Sequence, residues 1–355
     1  MLYTQFINPI KDTRWDRFVA ENPCGWICHL SNWQRLLEHS FKHIKGHFIA
    51  LVDAEDQSIK AGLPIYEVRS WLTGHRLVSA PFATIFDPLV SHDSQIQILL
   101  NNTIQLSKEL DSSYVEIRTL QKGSSLVHGE FRPFEGFKYH YLDLSVSLDN
   151  LWKGFHRQSI RHKILKAEKY DIRVDFTDKK TDLDDFYRLY AIMRKKLSLP
   201  VQPYRFFTTM WDCLYPDGYF SLLMARKKNV AIGGLIVFNF KNQVSAEYLA
   251  YDVSSLNYYP NHILYWEAIR RAHEKGNAIF DFGRTSVLNT GLMVFKGRWG
   301  TKIVDIPTFF FPSGIARQKQ NNEQSYRYRI IRIICQYIPK SMLRIFGELV
   351  YRHIG

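Results

Sequence analysis

The chain has 355 residues, of which 46% are hydrophobic and 15% aromatic, enough apolar mass for two cores of ordinary size and too much for a chain that stays unfolded. Lys and Arg outnumber Asp and Glu by 47 to 34, a net charge of +13 that calls for an anionic partner: nucleic acid, a phosphorylated substrate or a membrane surface. The surplus is local, +5 over residues 153–169 and +6 over residues 317–355, which argues against a protein that coats DNA.

In chain order, the pattern of strands and helices is written twice. Short helices are expected at Trp15–Ala20 and Ser31–Glu38, then strands at Phe48–Val52, Ile59–Arg69 and Arg76–Ser79. A helix at Ser94–Leu110 and strands at Tyr114–Arg118 and Tyr139–Leu144 complete the first half. The second half opens with a basic helix, Leu151–Lys169, followed by a strand at Ile172–Phe176 and a helix at Asp182–Lys195. A meander of three strands comes next, Tyr219–Ala225, Ala231–Phe240 and Gln243–Tyr251. Helix His262–Lys275, closed by Gly276, leads to strand Ile279–Phe282, and a last strand runs Ile303–Phe311. Strands in a meander, a helix and a further strand describe an α+β fold, helices packed on a mixed sheet. The expected division is 1–146, 147–315 and a tail, 316–355.

The four cysteines, Cys24, Cys28, Cys213 and Cys335, are too scattered for a disulfide framework. No run reaches the length that spans a bilayer, and the N-terminus lacks the apolar stretch of a signal peptide. The reading is a cytoplasmic protein that meets any membrane from its inner face. His39, His43 and His47 are four residues apart, but Gly46 and the apolar run after it place them on a helix, a loop and a strand, so no metal is expected. Walker A, GxGxxG, GxSxG and HExxH motifs do not occur.

Three stretches carry candidate chemistry. In the basic helix, Arg157 and Arg161 are one turn apart, so their guanidinium groups can converge on one polyanion; a solvated basic face is the alternative. Asp281-Phe282-Gly283-Arg284 sets an acid and a base at a strand end where Gly283 permits a sharp turn, and Phe295-Lys296-Gly297-Arg298-Trp299-Gly300 adds cations beside aromatics. Here the alternative is an ion pair of Asp281 with Arg284 and a set of core aromatics. Tyr251 closes the meander, and Pro260-Asn261 opens the next helix, whose free N–H groups can hold an anion.

With Ser159-Ile160-Arg161-His162-Lys163-Ile164, Leu199-Pro200, Pro260-Asn261, Asp281-Phe282-Gly283-Arg284, Gly291, Phe295-Lys296 and Trp299-Gly300, the second half resembles the FemAB-like branch of the GNAT acyltransferase superfamily. Trp15, His29-Leu30-Ser31, Trp33 and Gly62-Leu63-Pro64-Ile65 make the first half similar to the partner domain of that family. The DFGR and WG versions are most like the subgroup associated with exosortase and PEP-CTERM exopolysaccharide clusters. The resemblance implies two GNAT-like domains with a substrate groove between them. It places a diphosphate-contacting arginine on Arg161 and an active-site lysine on Lys296. A second, N-terminal lysine of the family has no match, Arg35 being the nearest cation, and LNYYPNH stands where ordinary GNAT enzymes have their acetyl-CoA loop. The donor is therefore left open between acyl-CoA and aminoacyl-tRNA.

The function expected is an acyl- or aminoacyltransferase acting on an amine or hydroxyl of a nucleotide- or lipid-linked saccharide precursor of the cell envelope or exopolysaccharide. Lys296 and Arg284 supply positive charge, Asp281 or Tyr251 accepts or orients a proton, and Arg157, Arg161 and Trp299 hold substrate. The rivals are a non-catalytic binder of glycan or lipid-linked sugar, and an RNA-binding protein that uses residues 157–169. For the tail, two short basic amphipathic helices are expected, broken by Pro339. In the first, Arg329, Arg332 and Gln336 oppose Ile330, Ile334 and Ile338; in the second, Lys340, Arg344, Glu348 and Arg352 oppose Met342, Leu343, Ile345, Phe346, Leu349 and Val350. They are expected either to pack on the domains or to bind an anionic membrane surface, with transfer RNA as a further partner of the protein and DNA excluded.

Overall fold

The computed structural model describes residues 1–79, 81–121, 123–127, 130–316 and 326–354; residues 317–325, which carry part of the tail's charge, lie outside them. The strands are β1 (Leu2–Ile7), β2 (Ile44–Asp53), β3 (Ile59–Ser70), β4 (Gly74–Val78), β5 (Leu89–Val90), β6 (Val115–Arg118), β7 (Arg132–Phe134), β8 (Phe137–Asp143), β9 (Ile172–Thr177), β10 (Phe220–Lys227), β11 (Val230–Phe240), β12 (Gln243–Tyr251), β13 (Ile279–Ser286), β14 (Lys302–Asp305) and β15 (Thr308–Phe311). The helices are α1 (Arg14–Glu21), α2 (Ser31–Ser40), α3 (Ser94–Glu109), α4 (Gly123–Val127), α5 (Leu148–Gly154), α6 (His162–Lys169), α7 (Asp182–Lys196), α8 (Tyr204–Leu214), α9 (Pro260–Glu274), α10 (Thr290–Gly297), α11 (Tyr326–Tyr337) and α12 (Lys340–Tyr351).

Two compact units result, one of Met1–Phe137, Asp305–Ser325 and Leu349–Gly355, the other of Lys138–Val304 and Tyr326–Glu348. The chain thus divides near 137 rather than at 146, because β8 hydrogen-bonds into the second sheet. The expected strand Ile303–Phe311 is cut by Pro307, and its halves join different sheets, β14 the second and β15 the first. The tail is not a third domain: residues 326–348 join the second unit and the last residues join the first.

The first unit is an eight-stranded sheet ordered β1-β2-β3-β4-β6-β15-β7, with β5 paired to β3. Its motif residues are packing residues. Trp15, fully buried, donates its indole N–H to the His29 carbonyl at 2.7 Å. Gly62 leaves room for that ring, since a Cβ there would lie 2.5 Å from it. His29 stacks on Phe86 at 4.1 Å and its Nε2 meets the Asp87 carbonyl at 2.9 Å.

In the second unit the sheet runs β14-β8-β13-β12-β11-β10-β9, and its core joins apolar residues of α5, α6, α9 and β10–β13. The meander β10-β11-β12 is antiparallel, with an irregularity in the β11–β12 register between Ile236 and Val237. Gly233 lets α9 close on the sheet, a Cβ there coming within 3.0 Å of Leu264 and Pro260. β12 and β13 are parallel neighbours, but only Gln243–Ser245 pair with Ile279–Asp281. Beyond that register the two strands part, opening a wedge in the middle of the sheet.

The basic helix expected at 151–169 is interrupted. α5 stops at Gly154, Phe155 is extended and buried, Arg157–Arg161 form a wide π-type turn, and α6 begins at His162. The break is built by the segment after α10: the His156 N–H donates to the Arg298 carbonyl at 2.8 Å. Gly300, at φ +73°, passes so close to Gly154 that a Cβ would lie 3.0 Å from its carbonyl oxygen.

Candidate active site

The wedge between β12 and β13 collects three ionisable groups of the second unit. Asp281, at the last paired position of β13, is buried, and its carboxylate accepts the Gly283 N–H. Gly283 sits at φ +73°, the left-handed region that suits glycine, and that turn exposes its carbonyl to Lys296. From α10, Lys296 reaches back with Nζ to the carbonyls of Gly283 at 3.0 Å and Arg284 at 3.2 Å. One glycine therefore holds both partners, the acid by its N–H and the base by its C=O. The third group is Glu247 in mid-β12, which accepts a hydrogen bond from the Ser245 hydroxyl.

Burial dominates the electrostatics of all three. It raises Asp281 to about 6, against the lowering effect of the Gly283 N–H and of Lys296. It raises Glu247 to about 7, with Asp281 adding repulsion while Ser245 and Lys296 oppose the rise. It lowers Lys296 to about 8, although the carboxylates of Asp281 and Glu247 pull the other way. Two more groups line this region. His140, fully buried, lies 3.3 Å from Met293 Sδ and from Thr301 Oγ1, and burial together with the Lys296 charge pushes it down to about 4, so it is a neutral ring at pH 7. Tyr139 is held well above its ordinary value by burial and by Asp281.

A second feature of the same unit is an open hollow of about 350 Å³ lined by Trp152, Arg157, Gln158, Arg161, His162 and Leu165. Arg157 and Arg161, at the two ends of the wide turn, both line it, and among the described residues the buried Nε of Arg161 has no hydrogen-bond partner. A tetrahedral anion with bidentate appetite for guanidinium groups fits such a lining.

The other expected site residues fall differently. The Arg284 backbone carbonyl, not its side chain, meets Lys296. Tyr251 is four residues beyond Glu247 on the same strand, about 13 Å at the usual strand rise, and so stands apart from the Asp281 group. Trp299 is fully buried among Phe155, Tyr265 and Phe282, at ring distances of 5.1 to 5.9 Å. It packs the core under the site and does not meet substrate. His39, His43 and His47 lie on α2, the following turn and β2, with His47 paired to Glu67 at 3.4 Å.

Glu247 and His140 were not anticipated. The signal for Glu247 was present: a carboxylate in the middle of QVSAEYLAY, a strand with a neighbour on each side.

Residues 154–296 match the family model of an acetyltransferase (GNAT) domain. No curated protein matches the chain. Among solved structures, FemX is similar over 90% of this chain and 99% of its own, with a TM-score of 0.72 at 16% identity. L-PGS from Bacillus licheniformis is similar over 93% of this chain and 97% of its own, with a TM-score of 0.57 at 12% identity. A tandem GNAT protein from the clavulanic acid biosynthesis pathway is similar over 87% and 98%, with a TM-score of 0.55 at 10% identity. The chain therefore has an α+β fold of two GNAT-like sheets flanked by helices, and its acetyltransferase-type segment is the one that holds Glu247, Asp281 and Lys296.

Proposed function

We propose that the second unit transfers an acyl or aminoacyl group to an amine or hydroxyl of a nucleotide- or lipid-linked saccharide precursor of the cell envelope, as a member of the FemAB-like branch. The observation that carries this is the meeting of Glu247, Asp281 and Lys296 where β12 and β13 part, with affinities for protons near 7, 6 and 8. Groups of that kind exchange protons at neutral pH, and burial keeps them from being screened.

In the reaction, the acceptor nitrogen or oxygen attacks the donor carbonyl carbon, the new C–N or C–O bond forms, and the bond to the donor's sulfur or oxygen breaks. Glu247 takes the proton the acceptor loses, and that proton leaves with the departing thiolate or alkoxide. Two of the three Nζ donors of Lys296 are held by carbonyls, which leaves one for the oxyanion of the tetrahedral intermediate. Asp281 is a positioning residue: it sets Gly283, and Gly283 sets Lys296. Arg157 and Arg161 hold the acceptor's diphosphate. The likeness to FemX over nearly the whole of both chains supports the reading, and the donor stays open between acyl-CoA and aminoacyl-tRNA.

Mass spectrometry tests the reading: the protein is incubated with envelope precursors and either an acyl-CoA or an aminoacyl-tRNA. A donor-dependent mass gain, lost in Glu247→Gln and Lys296→Ala, is expected. Precursor bound tightly with no mass gain from either donor leaves a binding protein and sinks the proposal.

A further inference from the structure

α11 and α12 are held to the body by one face each. α11 buries Cys335, and the carbonyls of Cys335, Gln336 and Ile338 at its end accept hydrogen bonds from Lys195 Nζ at 2.8, 2.9 and 2.5 Å. α12 buries Leu343 and Tyr351, and Gly347 lies so close to the chain that a Cβ would stand 2.0 Å from the Val201 carbonyl oxygen. Arg344 lies over the Tyr187 ring at 5.0 Å.

With those faces used, each helix keeps a second apolar stripe in solvent. Ile330, Ile333, Ile334 and Tyr337, the last 77% exposed, fall within about 100° of one another around α11. Met342, Ile345 and Leu349 fall within about 60° around α12, Ile345 being 63% exposed. Arg329 borders the first stripe, Arg332 lies about 60° further round the helix from it, and Arg352 borders the second. Among the described residues, Arg329, Arg332, Lys340 and Arg352 make no ion pair, and Glu348 is the one acid from 329 to 352.

We propose that these stripes dock the protein on an anionic bilayer surface. Aliphatic side chains enter the acyl boundary, and the arginines and lysine meet lipid phosphates. The charge decides the occupant: a second copy of this face would set like charges against each other, and RNA would leave the isoleucines uncovered. No helix among the described residues is long and apolar enough to cross a membrane, so the contact is peripheral. Because the helices are already folded onto the body, docking needs no ordering of the tail. The inference is independent of the transfer chemistry.

Flotation of the full-length protein with vesicles of phosphatidylcholine alone or mixed with phosphatidylglycerol tests it. Binding to the anionic vesicles at low salt is expected, with little to phosphatidylcholine. Arg329→Gln with Arg332→Gln should weaken it roughly thirtyfold, given the usual worth of a cation near an anionic leaflet. Ile333→Glu with Ile345→Glu should lose at least about tenfold while leaving the circular dichroism and melting temperature unchanged. A folded wild type that ignores anionic vesicles overturns the proposal, as does equal binding by either double variant. A concentration-dependent dimer that Ile333→Glu with Ile345→Glu converts to monomer would instead make the face an interface between copies.

Discussion

Each unit sets a glutamate on an inner strand, Glu67 buried and Glu247 half-buried, and the two are treated in opposite ways. Glu67 on β3 is met by Arg69 at 2.5 Å, His75 at 2.8 Å and His47 at 3.4 Å. Burial works to raise it, yet those hydrogen bonds and the Arg69 charge hold it below its ordinary value. Glu247 on β12 has a serine hydroxyl, with another carboxylate nearby, and rises to about 7. A satisfied carboxylate is a permanent charge and a structural part; a starved one is a proton carrier near neutral pH.

Substituting the two glutamates gives the widest separation. Glu247→Gln should lower kcat by about 10²–10⁴-fold, the usual worth of a positioned general base, whereas Glu67→Gln should leave kcat unchanged. Equal losses in both variants, measured by precursor mass gain over time, would erase the distinction between the units. Lys296→Ala should follow with a loss of about a hundredfold or more in kcat, in the range seen when one oxyanion donor is removed. Arg161→Ala should weaken a diphosphate-containing acceptor by about 1.5–3 kcal/mol, the worth of a charge-assisted hydrogen bond. Calorimetry with an acceptor analogue reads that value, and unchanged affinity would return Arg157–Arg161 to the status of a solvated face.

The smallest effect is in stability, and its sign differs between the units. Glu67 lies below its unfolded pKa, so its contribution is present above about pH 4.5 and is lost as pH falls through the folded value. Glu247 lies above its unfolded pKa, so its contribution is full at low pH and is lost as pH rises towards about 7. At pH 8, Glu67→Gln should therefore lower the melting temperature and Glu247→Gln should raise it, by about 2–4 °C for each kcal/mol. At pH 4 the gain from Glu247→Gln should vanish. Scanning calorimetry at the two pH values checks both signs.

Much of this fold is legible in the residues. The meander, α3, α7 and α9 follow from periodicity and caps, and Gly276 ends its helix at φ +75° as its position predicts. What periodicity misses is set by distant contacts. β1 has the exposed, mixed pattern of an edge strand and gains its identity from pairing with β2. α8, YRFFTTMWDCL, has aromatics and threonines that favour strands, and is made a helix by the side of Phe206, Phe207 and Met210 that it buries. The break at Gly154–His156 has a weak local signal in Gly154, a poor helix former, but it is fixed by Arg298 and Gly300, distant in the sequence.

The site divides along the same line. Lys296 and Asp281 were marked by short motifs, and the structure joins them through Gly283. Glu247, an acid alternating with apolar residues, shares the sequence pattern of a solvent-facing strand position. Tyr251 stands at the strand end, whereas Glu247 and its ionisable neighbours lie just past the last pair of β12 with β13. Trp299 stands beside cations in the sequence, and its burial depends on Phe155 and Tyr265 from other elements.

The account rests on Glu247 being a proton carrier near neutral pH. Carbon-13 NMR of the glutamate side-chain carboxyls, followed from pH 4 to 9 and assigned with Glu247→Gln and Glu67→Gln, measures it directly. A Glu247 midpoint near 7, with Glu67 titrating below the ordinary glutamate range, is the predicted result. A Glu247 midpoint at or below 4.5 would contradict it.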